Sequence, residues 1–127
     1  MAVTVTNQSN PVGARIVYDS AAGGTSGGTV AAVDNTTGTS GTLYAVEIDN
    51  SANAAICYFK MANTGNATAG TTAAEICLMC PASTKMSYVF PTGIAFSTGF
   101  SHWCTVGAAE SNTTSPGNAV PVRYVTS

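Results

Sequence analysis

This sequence has few charged side chains. Only 8% of its 127 residues are charged, with four basic and six acidic side chains and a formal net charge of −2. That fraction is about a third of the usual one in a soluble domain, which normally carries mixed charge on its surface. A surface of Thr, Ser, Asn, Gly and Ala needs little desolvation when subunits associate. We therefore expect a component of an obligate assembly, or else an ordinary low-charge secreted β-protein.

The sequence also lacks a basic cluster and a long apolar run. Its basic residues are dispersed at Arg15, Lys60, Lys85 and Arg123. The sequence therefore predicts no basic patch that could bind nucleic acid or an anionic membrane. No apolar stretch approaches the length of about 18 residues that a membrane span needs, and the first residues show neither a basic nor a continuous apolar region. We expect a soluble protein with no visible export signal, no nucleic-acid partner and no membrane partner.

Candidates for catalysis are equally few. His102 is the only histidine, and no Gly-x-Ser-x-Gly elbow accompanies it. We expect His102 to be a strand histidine with a bonded ring nitrogen. Glu47 and Asp49 share a strand face but no cleft is indicated, so an exposed pair is expected. The run 49–53 lacks the spacing of a calcium loop, which favours a turn with Asx hydrogen bonds. We predict no enzyme, no catalytic residue and no cofactor.

The four cysteines include one Cys-x-x-Cys, formed by Cys77 and Cys80, while Cys57 and Cys104 stand alone. A structural zinc site usually pairs two such motifs in turns. Here the motif lies in an apolar strand, where alternation directs Cys77 and Cys80 to opposite faces. This pattern favours small buried hydrophobic side chains over a disulfide or a metal site.

Alternating apolar and polar residues dominate the chain, and no helical period extends over ten residues or more. Strands are predicted at residues 2–6, 14–19, 42–49, 54–61, 74–80, 85–90, 100–106 and 119–125, with Tyr44, Val46 and Ile48 on one face of the third and Val120, Val122 and Tyr124 inward on the last. Residues 90–100 are predicted to form a corner between two core strands. Residues 20–41 are predicted to form a long loop with at most one edge strand and little core. This pattern predicts an all-β fold with a single antiparallel β-sandwich or jelly-roll-like domain. Within that domain, residues 1–40 are predicted to form an N-terminal strand or arm and a flexible loop, and residues 41–127 are predicted to form the core.

Apolar side chains outside the predicted core are candidates for a partner interface. If His102 and Cys104 face inward, Trp103 faces outward, as do Ile56 and Tyr58 on another strand. Such residues are typical interface anchors, although a different register would place them in a second core layer. Together with the N-terminal arm, the candidate interface residues are Val3, Val5, Ile56, Tyr58 and Trp103.

Four segments are similar to a known class of proteins: IDNSANAAICYFK (48–60), GTT (70–72), FPTGIAFSTG (90–99) and TVGAAESNTT (105–114). They resemble small β-rich structural proteins of tailed-phage virions, including capsid decoration or cement proteins, over roughly residues 42–125. The cysteines and Trp103 depart from that pattern, so no interface residue is carried over.

This resemblance implies a non-enzymatic protein that is made in the host cytoplasm and binds the outside of the phage head. It implies the major capsid protein as partner, self-association as a trimer, and a role in strengthening contacts between capsid subunits. A fibre, tail or head–tail accessory protein is the alternative within the virion. A carbohydrate-binding β-sandwich is a more distant alternative. Such modules usually present several aromatic side chains on one exposed surface, whereas the single Trp and five Tyr of this sequence are spread over the strands.

Overall fold

The computed structural model describes residues 3–7, 15–22, 28–34 and 36–127. Within them the chain forms strands and no helix, which confirms the all-β prediction. The strands are β1 Val3–Asn7, β2 Arg15–Asp19, β3 Gly41–Asp49, β4 Cys57–Asn63, β5 Ile76–Cys80, β6 Lys85–Phe96, β7 Phe100–Thr105 and β8 Val122–Thr126. The described part of the chain therefore offers no helix that could cross a membrane.

Two antiparallel sheets make up the part of the fold that the structure describes. One has five strands in the order β1-β2-β8-β3-β6, and the other has three in the order β5-β4-β7. Side chains alternate along each strand, so each sheet turns one apolar face toward the other and the core lies between them. Val120, Val122 and Tyr124 are buried there as the alternation predicted, together with Phe59 of β4.

Strand β3 departs from simple alternation. Its pairing register shifts between Leu43 and Ala45 against both neighbouring strands. An extra residue at such a bulge reverses which side chains face inward beyond it. Leu43, Val46 and Ile48 are therefore buried, while Tyr44, which was predicted to share their face, is only half-buried.

Residues 90–96 are the second half of β6 rather than a corner, so the prediction is wrong for them. Strand β6 continues through Pro91 and, among the described residues, pairs only with β3, at the edge of the sheet, where a residue without an N–H group is tolerated. Gly93 has a φ of 75°, and a Cβ atom there would lie 2.1 Å from Cγ2 of Thr42. The chain bends only after Phe96, at residues 97–98, and passes from there to β7 of the other sheet.

The segment 28–34 makes two isolated antiparallel bridges, from Val33 to His102 of β7 and from Thr29 to Thr114. Val33 exchanges backbone hydrogen bonds with His102 at 2.8 and 3.0 Å, and the Val30 N–H donates to Thr113 O at 2.8 Å. Val30 is buried in a second apolar cluster on the outer face of the small sheet. The scarcity of large apolar residues in 20–41 predicts little contribution to a core. The structure differs, because Val30 of this segment packs in the second apolar cluster.

Candidate functional site

Strand β1 lies at an edge of the larger sheet with both of its faces open. Val3 and Val5 stand opposite Asp19 and Val17 in the register, so they point to the core side of the sheet. Their partners are completely buried, yet Val3 is 38% and Val5 44% exposed. The larger sheet is wider than the three-stranded sheet that faces it, and β1 lies beyond the covered part. We call β1 the overhanging strand.

Two of the predicted interface residues lie on or beside β4. Tyr58 stands opposite Met79 of β5 in the register, so both occupy the outer face of the smaller sheet. Ile56, just before β4, is 36% exposed, Met79 is 40% exposed and Tyr58 is half-buried. Met79 was not singled out from the sequence, because only the pairing of β4 with β5 places it beside Tyr58.

Trp103 does not lie on the surface. It is 1% exposed and packs in the second apolar cluster with Val30, Ala62 and Ala67. The outward direction was predicted correctly, since Trp103 stands opposite Lys60 on the outer face of the smaller sheet. The segment around Val30 covers that part of the face, so Trp103 belongs to a second core layer, which was the other interpretation of its position.

His102 lies in a buried polar cluster. Its Nε2 is 2.7 Å from Oδ2 of Asp19, and its Nδ1 is 3.2 Å from the hydroxyl of Tyr124. The Tyr124 hydroxyl also bonds to Oγ1 of Thr36, and burial raises the pKa of this phenol. His102 and Asp19 are both 0% exposed. The expectation of a bonded strand histidine is confirmed, and a substrate has no direct access to this pair.

Like Thr36, Asp19 is a member of this cluster that no pattern in the sequence indicated. Its other oxygen, Oδ1, accepts a hydrogen bond from the Ala21 N–H at 3.0 Å. The cluster thus joins β2, β7 and β8, which belong to different sheets. An aspartate at the end of a predicted strand is typical of a turn. Asp19 and His102 are 83 positions apart, so no local pattern in the sequence indicates that they are in contact.

All four cysteines are free thiols. Cys57, Cys80 and Cys104 are buried in the core, whereas Cys77 is exposed, so the Cys-x-x-Cys pair does point to opposite faces. Burial raises the pKa of the Cys80 thiol to about 11. Within the described residues, no three His, Cys, Asp or Glu side chains are placed to hold a metal ion.

Glu47 and Asp49 lie together on the outer face of β3. Glu47 is exposed, and Asp49 is half-buried and 3.6 Å from the Lys85 ammonium. The Asp49 carboxylate accepts hydrogen bonds from the backbone N–H and the hydroxyl of Ser51, at 3.0 and 2.5 Å. The hydrogen bond from the Ser51 hydroxyl holds the pKa of Asp49 below its usual value. Residues 49–53 therefore form the Asx-stabilised turn predicted from the sequence.

Comparison with known proteins identifies no family. No protein-family model matches the chain, and no curated protein matches it. Among solved structures, the chain is similar to a crystal structure of the exo-β-1,3-galactanase of Phanerochaete chrysosporium with galactose, at 16% sequence identity and a TM-score of 0.37. The match covers 97% of this chain and only 26% of the galactanase chain. At this TM-score the likeness supports no conclusion about function.

Proposed function

We propose that this protein is a non-enzymatic structural protein of a tailed-phage virion, and that it decorates the outer surface of the head. Its partner in this role is the major capsid protein, whose subunit contacts it stabilises. The resemblance of residues 42–125 to decoration proteins supports this role, as does the charged fraction of 8%, which keeps the desolvation cost of association low.

The observation that carries the proposal is the overhanging strand. Val3 and Val5 continue the core-facing side of the larger sheet, and no strand of the smaller sheet in the described chain faces them. An apolar face of this kind gains stability when another polypeptide covers it, at about 25 cal/mol for each Å² removed from water. A subunit that needs a neighbour to complete its core fits an assembly component.

The free edge of β1 offers a second kind of contact. Residues 3–7 pair only with β2 within the described chain, so the backbone groups of the other edge are open to a further strand. Soluble proteins usually protect such edges with charged side chains or proline. Strand β1, with the sequence VTVTN, has neither. We propose that a neighbouring subunit, of the capsid or of a trimer of this chain, occupies this edge.

Heads assembled without this protein provide the test. Adding the purified protein should restore resistance to heat and osmotic shock, and the protein should co-sediment with the heads. Val5→Lys should weaken binding at least tenfold, because it places a charge on the face that the partner covers. Thr4→Lys is the matched control, since Thr4 is also exposed but stands opposite Tyr18 on the other face of the same strand.

Both substitutions are at exposed positions, so each should change the free energy of unfolding by no more than about 0.5 kcal/mol. Equal loss of binding in the two variants would show that the strand acts through its net charge rather than through the valine face. Failure of the unmodified protein to bind such heads would refute the proposed role.

A further inference from the structure

A polar hollow lies on the outer face of the five-stranded sheet, opposite the core. Its volume is about 180 Å³. The residues that line it are Tyr18, Glu47, Asp49, Lys85, Pro121, Val122 and Arg123. We call it the outer-face hollow. It is on the other face of the sheet from Val3 and Val5, and the proposed decoration role does not use it.

The sheet register explains why these residues meet. Arg123 of β8 stands between Tyr18 of β2 and Glu47 of β3, directly opposite both. Asp49 stands opposite Lys85 of β6. Four strands therefore contribute side chains to one small area, although their residues are far apart in the sequence.

The concentration of charge in this hollow is unusual for this chain. The sequence has ten charged residues, four basic and six acidic, and four of the ten line the hollow. Exposed cross-strand pairs can serve only to stabilise a sheet and keep it soluble. Such a role does not require that the charges of an otherwise nearly uncharged protein surround one cavity.

The charges in the hollow balance, with two basic and two acidic side chains. Lys85 is paired with Asp49, and the Arg123 guanidinium lies 5.0 Å from the centre of the Tyr18 ring, in a cation–π contact that orients it. The Glu47 carboxylate forms no salt bridge with any described residue. A charged ligand would upset this balance, whereas a neutral ligand would not.

The available groups fit a ligand with many hydroxyl groups. Carboxylates accept hydrogen bonds from hydroxyls, and ammonium and guanidinium groups donate to hydroxyl or ring oxygens. Pro121 and the Tyr18 ring add apolar surface for the C–H groups of a sugar. We infer that the outer-face hollow binds a single neutral pyranose ring, either as a free monosaccharide or as the end of a glycan.

Binding should be weak, with a dissociation constant in the millimolar range, because the ligand is small and the hollow is open. Two-dimensional ¹H–¹⁵N NMR spectra recorded during titration with glucose, galactose, mannose and N-acetylglucosamine detect binding of this strength. At least one sugar should give saturable shifts at the amides of Glu47, Asp49, Lys85 and Arg123. Oligosaccharides that end in that sugar distinguish the end of a glycan from the free monosaccharide.

Variants test the assignment. Glu47→Gln should weaken binding severalfold, and Arg123→Ala should abolish saturation, because it removes both a donor and the partner of the Tyr18 ring. Glu75→Gln is the matched control: it removes an exposed acid outside the hollow and should leave the titration unchanged. Melting curves of all three variants show whether a loss of binding reflects a loss of fold.

Charged probes provide the contrasting outcome. Glucuronate and glucosamine should bind more weakly than the neutral sugar, and added salt should have little effect on binding of the neutral sugar. The inference is wrong if no neutral sugar gives saturable shifts, or if acetate or an alkylammonium ion saturates the same amides more readily. Because these titrations use the isolated protein, their outcome is independent of head binding.

Discussion

Replacing Asp19 with alanine should lower the free energy of unfolding by about 4 kcal/mol. The carboxylate is 0% exposed and is bonded to two buried groups, the Ala21 N–H at 3.0 Å and His102 Nε2 at 2.7 Å. The substitution leaves both groups without this partner. Each buried group left unsatisfied costs about 1–3 kcal/mol, so two such groups together cost about 2–6 kcal/mol, and about 4 kcal/mol is the middle of that range.

The change is large enough to be seen in a thermal melt. A chain of this length gains roughly 0.27 kcal/mol/K of entropy on unfolding, from about 2.1 cal/mol/K per residue. A loss of about 4 kcal/mol therefore lowers the midpoint by about 15 °C. Urea unfolding followed by circular dichroism gives the change in the free energy of unfolding directly, provided that this free energy depends on urea concentration with the same slope in the wild-type protein and the variant.

Glu75→Ala is the control for this experiment, because it removes an exposed carboxylate and should change stability by no more than about 0.5 kcal/mol. A loss below about 1 kcal/mol for Asp19→Ala would contradict the reasoning, since that is the value of an ordinary hydrogen bond. In a double-mutant cycle with His102→Ala, the two losses should be strongly non-additive, as expected for side chains in direct contact.

Three further predictions follow from packing and burial. Trp103, the only tryptophan, should emit at short wavelength and resist acrylamide quenching in the native protein, and quenching as strong as in urea would contradict its burial. Gly93→Ala should lose about 1–3 kcal/mol in urea unfolding, because alanine strains the positive φ and its Cβ meets Thr42; an unchanged midpoint would refute this. With a thiol reagent near pH 8, Cys77 should react readily in the native protein, and all four thiols should react after denaturation. Rapid reaction of several thiols in the native protein would contradict the burial of the other three.

The strands and their inward faces could be predicted because period-two alternation is a local property of the sequence. Val122 and Tyr124 are examples, since their burial follows from alternation along one strand. The same rule failed at Tyr44, because a bulge changes the alternation without a clear local signal. The prediction also failed for residues 90–96, where Pro91 and Gly93 suggested a corner although an edge strand tolerates both.

The candidate sites depend on long-range pairing, which one sequence does not reveal. Trp103 was correctly placed on the outer face of its strand, but its cover comes from a glycine-rich segment about 70 residues earlier, whose packing has no local pattern. The outer-face hollow likewise exists only because Tyr18, Arg123 and Glu47 stand side by side in the register. The open valine face of β1 follows from the different widths of the two sheets, which depend on how many strands each contains.

A cryo-electron microscopy map of the intact particle tests the central claim most directly. If the proposed role is correct, density for this β-sandwich lies on the outside of the head, repeated at junctions between capsomers, with β1 against a neighbouring subunit. Its copy number should be comparable to that of the major capsid protein. Density confined to the tail, the fibres or the head–tail junction, or no density on the particle at all, would contradict it.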